Sequence, residues 1–247
     1  MIPLTMPAVR PNRDRFFITL SAVMLLIVLV GFTRTFFLHR LFGESALPAH
    51  LYVHRIILTT WFCLAFVQTC LIATGRTAFH RRIGVAGLFV AIAVITINLV
   101  TLGIRDAPFV DEDPGRAFAN LNTVVGFAIL VTSGVLMRRR SATHKRLMIF
   151  ASLQIVLPAI DRIGRIPPIY GFSETFFAGF QMPPQVAFAV VGGFMLMLTV
   201  LAHDLYSERR IKLATLWALV SVLIFAPIIS TTLISTGIWP AFVRLFV

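Results

Sequence analysis

The chain has 247 residues, 58% of them hydrophobic and 13% charged, with a formal net charge of +12. Soluble domains carry about 25% charged residues, so this composition argues against an ordinary soluble fold. The positive charge alone would suit a nucleic-acid partner, but no module of interleaved basic and aromatic residues is present and no nucleic-acid role is expected.

Mean hydropathy is +0.89. Seven apolar stretches are predicted as membrane-crossing helices, over 16–37, 51–74, 83–104, 117–137, 147–166, 184–202 and 213–236. Each is close to the roughly 20 residues that cross a hydrocarbon core about 30 Å thick. Backbone groups in lipid must be bonded within their own segment, which makes these stretches helices. The short alternating segments of a barrel do not occur. The expected fold is an all-α integral membrane protein: a cytoplasmic segment over 1–15, then one seven-helix transmembrane domain over 16–247.

The first stretch follows Arg10, Arg13 and Arg15. Its apolar run is longer than the core of a cleaved signal peptide, so it reads as an uncleaved signal anchor. Cys63 and Cys70 on the second stretch lie about 10 Å apart along a helix axis, too far to pair, and read as packing residues. The longest loops, about 39–50, 105–116 and 167–183, alternate with short basic turns. The middle one carries Asp111, Glu112 and Asp113. Pro158 and Pro227 fall inside the fifth and seventh spans, where each removes a backbone hydrogen bond and should kink its helix.

Fourteen of the 22 Lys and Arg residues fall on one side of this map, with Asp14, Asp204 and Glu208; the other eight fall opposite, with the remaining seven acids. Net charge is thus +11 against +1. The positive-inside rule then places the amino terminus in the cytoplasm and the carboxyl terminus outside, with the basic turns beside anionic lipid.

Residues 76–83 read RTAFHRRI and residues 140–147 read RSATHKRL. In both places a span ends, a basic turn carries His, and the next span begins. Spans two–three and four–five therefore read either as a duplicated hairpin or as two instances of one favourable turn. The turns His80–Gly84 (HRRIG) and His144–Met148 (HKRLM), followed by His203-Asp204-Leu205 and Ala214–Trp217 (ATLW), resemble a group of bacterial multi-pass inner-membrane proteins of unestablished function. The resemblance runs from about residue 50 to the end. It implies a helical bundle in the bacterial inner membrane and supplies no catalytic residue.

Ionisable groups within a span are costly and point to function. Counting along the helices puts Asp161 about 21 Å from the cytoplasmic surface, with Asn98 at nearly the same level. His54, Asn98, Asn122, Asp161, Arg162 and Arg165 form an expected outer-leaflet polar cluster on spans two to five. Asp161 and Arg165 are spaced to bond along one helix face, and Arg162 is expected to point elsewhere and snorkel. This cluster reads either as a structural ion pair or as a water-filled pocket for a ligand or proton. Gln68 and Gln154 form an expected inner layer, each about 8–10 Å from the cytoplasmic surface, as interhelical glue.

His50 and His54 share a helix face and can hold a metal ion; the plainer reading is two interfacial imidazoles, with only Glu44 as a nearby acid. His80 and His144, one from each echoing turn, can ligate a haem iron axially, with flanking arginines for the propionates. The plainer reading is that each caps its turn. A zinc site of His80, His144, His203 and Asp204 is a weaker reading. Serine-hydrolase, P-loop and dinucleotide signatures are absent, so no enzyme activity is assigned. Three functions follow: a redox membrane protein binding b-type haem, a small-solute or ion transporter using the outer pocket, or a non-catalytic accessory factor for a membrane complex. The lipid bilayer is the expected partner, with a homo-oligomer or a second protein left open.

Overall fold

The structure, a computed structural model, describes residues 11–43, 45, 47–112 and 114–246. Most of the 1–15 segment, and the acids Glu44 and Asp113, lie outside the described residues. Among the described residues there are helices and no strands.

Seven helical segments are long and apolar enough to cross a membrane. The first is α1 (Pro11–Phe32), extended by a π-helical turn over Thr33–Phe37. Next come α2 (Ala49–Ala73), α3 (Thr77–Asp106), α4 (Phe118–Leu136) and α5 (Ser141–Gly164). After the short α6 (Pro167–Phe176) come α7 (Pro184–Glu208) and a last crossing, α8 (Leu213–Val220), a π turn over Ser221–Phe225 and α9 (Ala226–Ser235). A short α10 (Ile238–Val243) follows.

Several boundaries differ from the sequence expectation for local reasons. The basic turns are shorter than expected, because α3 begins at Thr77 and α5 at Ser141. His80 and His144 thus occupy the first helical turn, with matching backbone bonds: His80 N to Arg76 O at 3.0 Å and His144 N to Arg140 O at 2.9 Å. Gly75, at φ +72°, supplies the left-handed residue that lets α2 turn into α3 within three residues. The expected loop over 167–183 contains α6, whose start has Pro167 and Pro168, where a missing N–H costs nothing. α5 runs helical through Pro158. Pro227 instead sits at the start of α9, directly after the π turn that accommodates the break.

α5 is the axle of the bundle. It packs against α1, α4, α7 and α8 and is the most buried of the seven spans, with α3 the least. Phe127, Leu130, Phe150, Leu153 and Val156 are fully buried around it. Close approach is set by small residues. A Cβ on Gly31 would lie 2.4 Å from the Ala159 carbonyl oxygen, so only glycine lets α1 touch the α5 backbone there. α3 instead turns Val85, Phe89 and Ile92 outward, an apolar face fit for lipid.

Candidate functional site

Polar side chains gather at two opposite ends of the bundle. At the end with the arginine-rich turns, the starts of α1, α3 and α5 meet the end of α7. Phe16 stacks on His203 with ring centres 4.0 Å apart, and Lys145 Nζ lies 4.1 Å above the Phe17 ring. His80 and His144 face each other there, with ring centres 6.3 Å apart and planes at 80°.

The two imidazoles differ in their second nitrogen. Nδ1 of His144 lies 2.8 Å from the Gly134 carbonyl, which only an N–H can satisfy. In the neutral ring that bond puts the lone pair on Nε2, the arrangement that orients ligating histidines. Nδ1 of His80 is buried without a hydrogen-bond partner. Gln68 lies in the same α2–α3 seam, within 3.8 Å of where a Gly84 Cβ would stand, and both its side-chain polar atoms are buried and unpartnered. Buried polar groups are normally satisfied, so this seam has hydrogen-bonding capacity to spare.

Beside it lies a network that charge counting alone does not reveal. Arg146 on α5 donates from Nε to both carboxylate oxygens of Asp204 on α7, at 2.9 and 3.2 Å. Thr215 on α8 donates to the same carboxylate at 2.5 Å, and the Lys212 N–H approaches at 3.4 Å. Arg146 is 3% exposed and Asp204 is fully buried. By sequence alone Arg146 counts as a topology charge, and Asp204 joins His80, His144 and His203 in the weaker zinc reading. That zinc grouping is corrected: Asp204 is saturated by Arg146 and Thr215, and His203 stacks on Phe16 and bonds Ser207 at 3.2 Å. The signal that would have found the pair is two opposite charges at equal depth on different helices.

The expected outer cluster holds together in part: His54 lies within electrostatic reach of Arg162 and Arg55, while Asn122 sits apart. His54 Nε2 bonds Asn98 Oδ1 at 3.1 Å across α2 and α3. Asn122 lies with Gln154: Gln154 Nε2 donates to the Asn122 carbonyl at 3.3 Å, while Oδ1 of Asn122 and Oε1 of Gln154 have no partner. This overturns the inner layer of Gln68 and Gln154. Because α5 starts at Ser141, Gln154 lies about 20 Å along its helix, and Gln68 stays at the other end with His80. A cavity of about 350 Å³ is lined by Thr35, Arg55, Asp161, Arg162 and Arg165.

Asp161 and Arg165 form the expected i, i+4 pair at 2.9 and 3.2 Å. Arg162 departs from its expected snorkelling. Its guanidinium lies 4.6 Å from the Phe32 ring centre, on the cavity wall. Thr35 and Arg55 were not among the sequence candidates; Arg55, 8% exposed, entered only the charge count. A second cavity of about 300 Å³ is wholly apolar and lies among α3, α4, α9 and α10, against Leu121, Val124 and Trp239.

For the His50 and His54 metal pair, His54 is engaged by Asn98. Among the described residues no group of three or more His, Cys, Asp or Glu is placed to hold a metal ion. Cys63 and Cys70 are free thiols.

No protein-family model, curated protein or solved structure matches this chain. The fold itself defines the class: a multi-pass helical membrane protein with seven spans.

Proposed function

We propose that this chain is a redox protein of the bacterial inner membrane that holds a b-type haem between His80 and His144, with the arginine-rich turns on the cytoplasmic side. The observation that carries the reading is the spacing of the two rings. Metal–nitrogen bonds of about 2.0–2.1 Å, with an imidazole radius of about 1.1 Å, put ring centres about 6.3 Å apart on opposite sides of one ion and about 5 Å apart on a tetrahedral one. The 6.3 Å separation matches two imidazoles that would hold one ion between them, as His80 and His144 would if they bound a b-type haem.

The surrounding residues fit that group. In the neutral ring the Gly134 carbonyl holds His144 in the tautomer with a lone pair on Nε2; the Nδ1 of His80 is buried without a geometric hydrogen bond, and its ring lies against the Gln68 backbone. Arg81, Arg82, Arg138, Arg139 and Arg140 stand in the same turns and can pair with carboxylates of a bound group. Bound there, haem would supply one-electron transfer, and the chain would supply its axial ligands, its burial and its orientation.

The test is haem and iron content per chain, measured on protein purified after expression with haem supply. Near-stoichiometric haem in the wild type, lost in His80→Ala and in His144→Ala, is expected. Haem-free wild type, or haem retained in both variants, would end the proposal. Orientation is tested separately in a cysteine-free background. Ala78→Cys and Ala142→Cys should react with a membrane-permeant maleimide and resist an impermeant one added from outside the cell; labelling by the impermeant reagent would invert the map.

A further inference from the structure

At the end away from the arginine-rich turns, positive charge exceeds the carboxylates that answer it. The cavity of about 350 Å³ there carries three arginines and one aspartate, and its volume falls in the range of about 300–1,000 Å³ typical of small-molecule sites. Asp161 is already engaged by Arg165 through both oxygens. Arg55 donates to the Thr35 carbonyl, and Arg162 donates to the Pro158 carbonyl at 2.8 Å. Each of these bonds uses one of the five N–H donors of a guanidinium, and neither neutralises charge. Among the described residues no carboxylate bonds Arg55 or Arg162. Both instead flank the Phe32 ring, at 5.5 and 4.6 Å from its centre. The ring attracts cations through its π face and carries no charge of its own.

A second observation points the same way. Thr35 lines this cavity, and its Oγ1 is buried without a hydrogen-bond partner. Thr35 belongs to the π-helical turn Thr33–Phe37, and such turns recur at functional sites.

We propose that this cavity binds a phosphate group, carried by an anionic lipid headgroup or by a soluble phosphate ester. Guanidinium forks match oxyanions through paired N–H···O bonds. A single fork satisfies a carboxylate, as Arg165 does for Asp161. Two further forks from different helices, with a hydroxyl beside them, suit an anion with more than two acceptor oxygens. The level fits as well: Arg162 lies two residues before α5 ends at Gly164, and Thr35 lies in the last turn of the first span. Lipid phosphates sit at the ends of spans, where arginine side chains reach them.

The full chain, purified in neutral detergent, tests this in two arms. In the first, native mass spectrometry follows exposure to an equal mixture of phosphatidylglycerol and phosphatidylcholine. In the second, thermal unfolding is followed against inorganic phosphate without lipid. Selective retention of phosphatidylglycerol identifies a headgroup site, and a rise in unfolding temperature with phosphate identifies a soluble ligand. Arg55→Gln and Arg162→Gln should lose whichever response the wild type shows, while Arg244→Gln, exposed at the same end, should keep it. Arg162→Lys, which keeps the charge and loses the fork, should weaken it several-fold. Wild type with neither response overturns the proposal without reference to any variant. So does a response that Arg55→Gln and Arg162→Gln both retain.

Discussion

Arg146 and Asp204 close a buried ion pair between α5 and α7, with both side chains no more than 3% exposed. The carboxylate also accepts from Thr215 on α8, so three helices meet at one charge. Removing one partner of such a pair leaves the other charge buried and unanswered, at a cost of about 3–5 kcal/mol. Asp204→Ala is expected to destabilise the protein by that order in a detergent unfolding titration. The double change Arg146→Met with Asp204→Leu should recover part of the loss, because it leaves no charge unpaired, while the buried Thr215 hydroxyl still loses its acceptor. A double variant as unstable as the single would show that Asp204 acts through something other than Arg146.

Arg244 and Asp111 provide the contrast. Their side chains meet at 2.6 Å but are 59% and 75% exposed. Water screens such pairs, which contribute about 0–1 kcal/mol. Arg244→Ala should therefore shift the same titration by less than about 1 kcal/mol. A loss comparable to that of Asp204→Ala would mean that the carboxyl-terminal segment is held by this pair rather than by Trp239 and Val243, which are buried beneath it.

Gly31 sets the contact of α1 with α5. A methyl there would meet the Ala159 backbone at 2.4 Å, and backbone cannot swing aside as a flexible side chain can. Overpacking of this kind costs about 1–3 kcal/mol, so Gly31→Ala is expected to lower unfolding stability within that range. Gly171→Ala, whose added Cβ meets open space, is the control. Equal stability of the two variants would contradict the close α1–α5 contact.

The architecture was legible in the sequence because lipid imposes a simple rule: every span is a long apolar run, and charge collects in the turns. The pairing of His80 with His144 could be framed from the echo of RTAFHRRI and RSATHKRL, since both turns leave the bundle at the same end. Rotation about each helix axis was not legible. The i, i+1 spacing turns Arg162 away from Asp161, but the Phe32 ring supplied by α1 gives it a place on the same cavity. Asn122 and Gln154 look well separated when depth is counted from a span end placed six residues late. Short amphipathic pieces such as α6 were hidden because loop-forming prolines also start helices.

The central claim is ligation of one iron by His80 and His144, and a reduced-minus-oxidised absorption difference spectrum of the purified protein tests it most directly. The account predicts the sharp Soret and α-band changes of a low-spin haem with two imidazole ligands, abolished or shifted to a high-spin form in His144→Ala. A flat difference spectrum from folded, haem-supplied wild type would contradict it, as would bands that His144→Ala leaves unchanged.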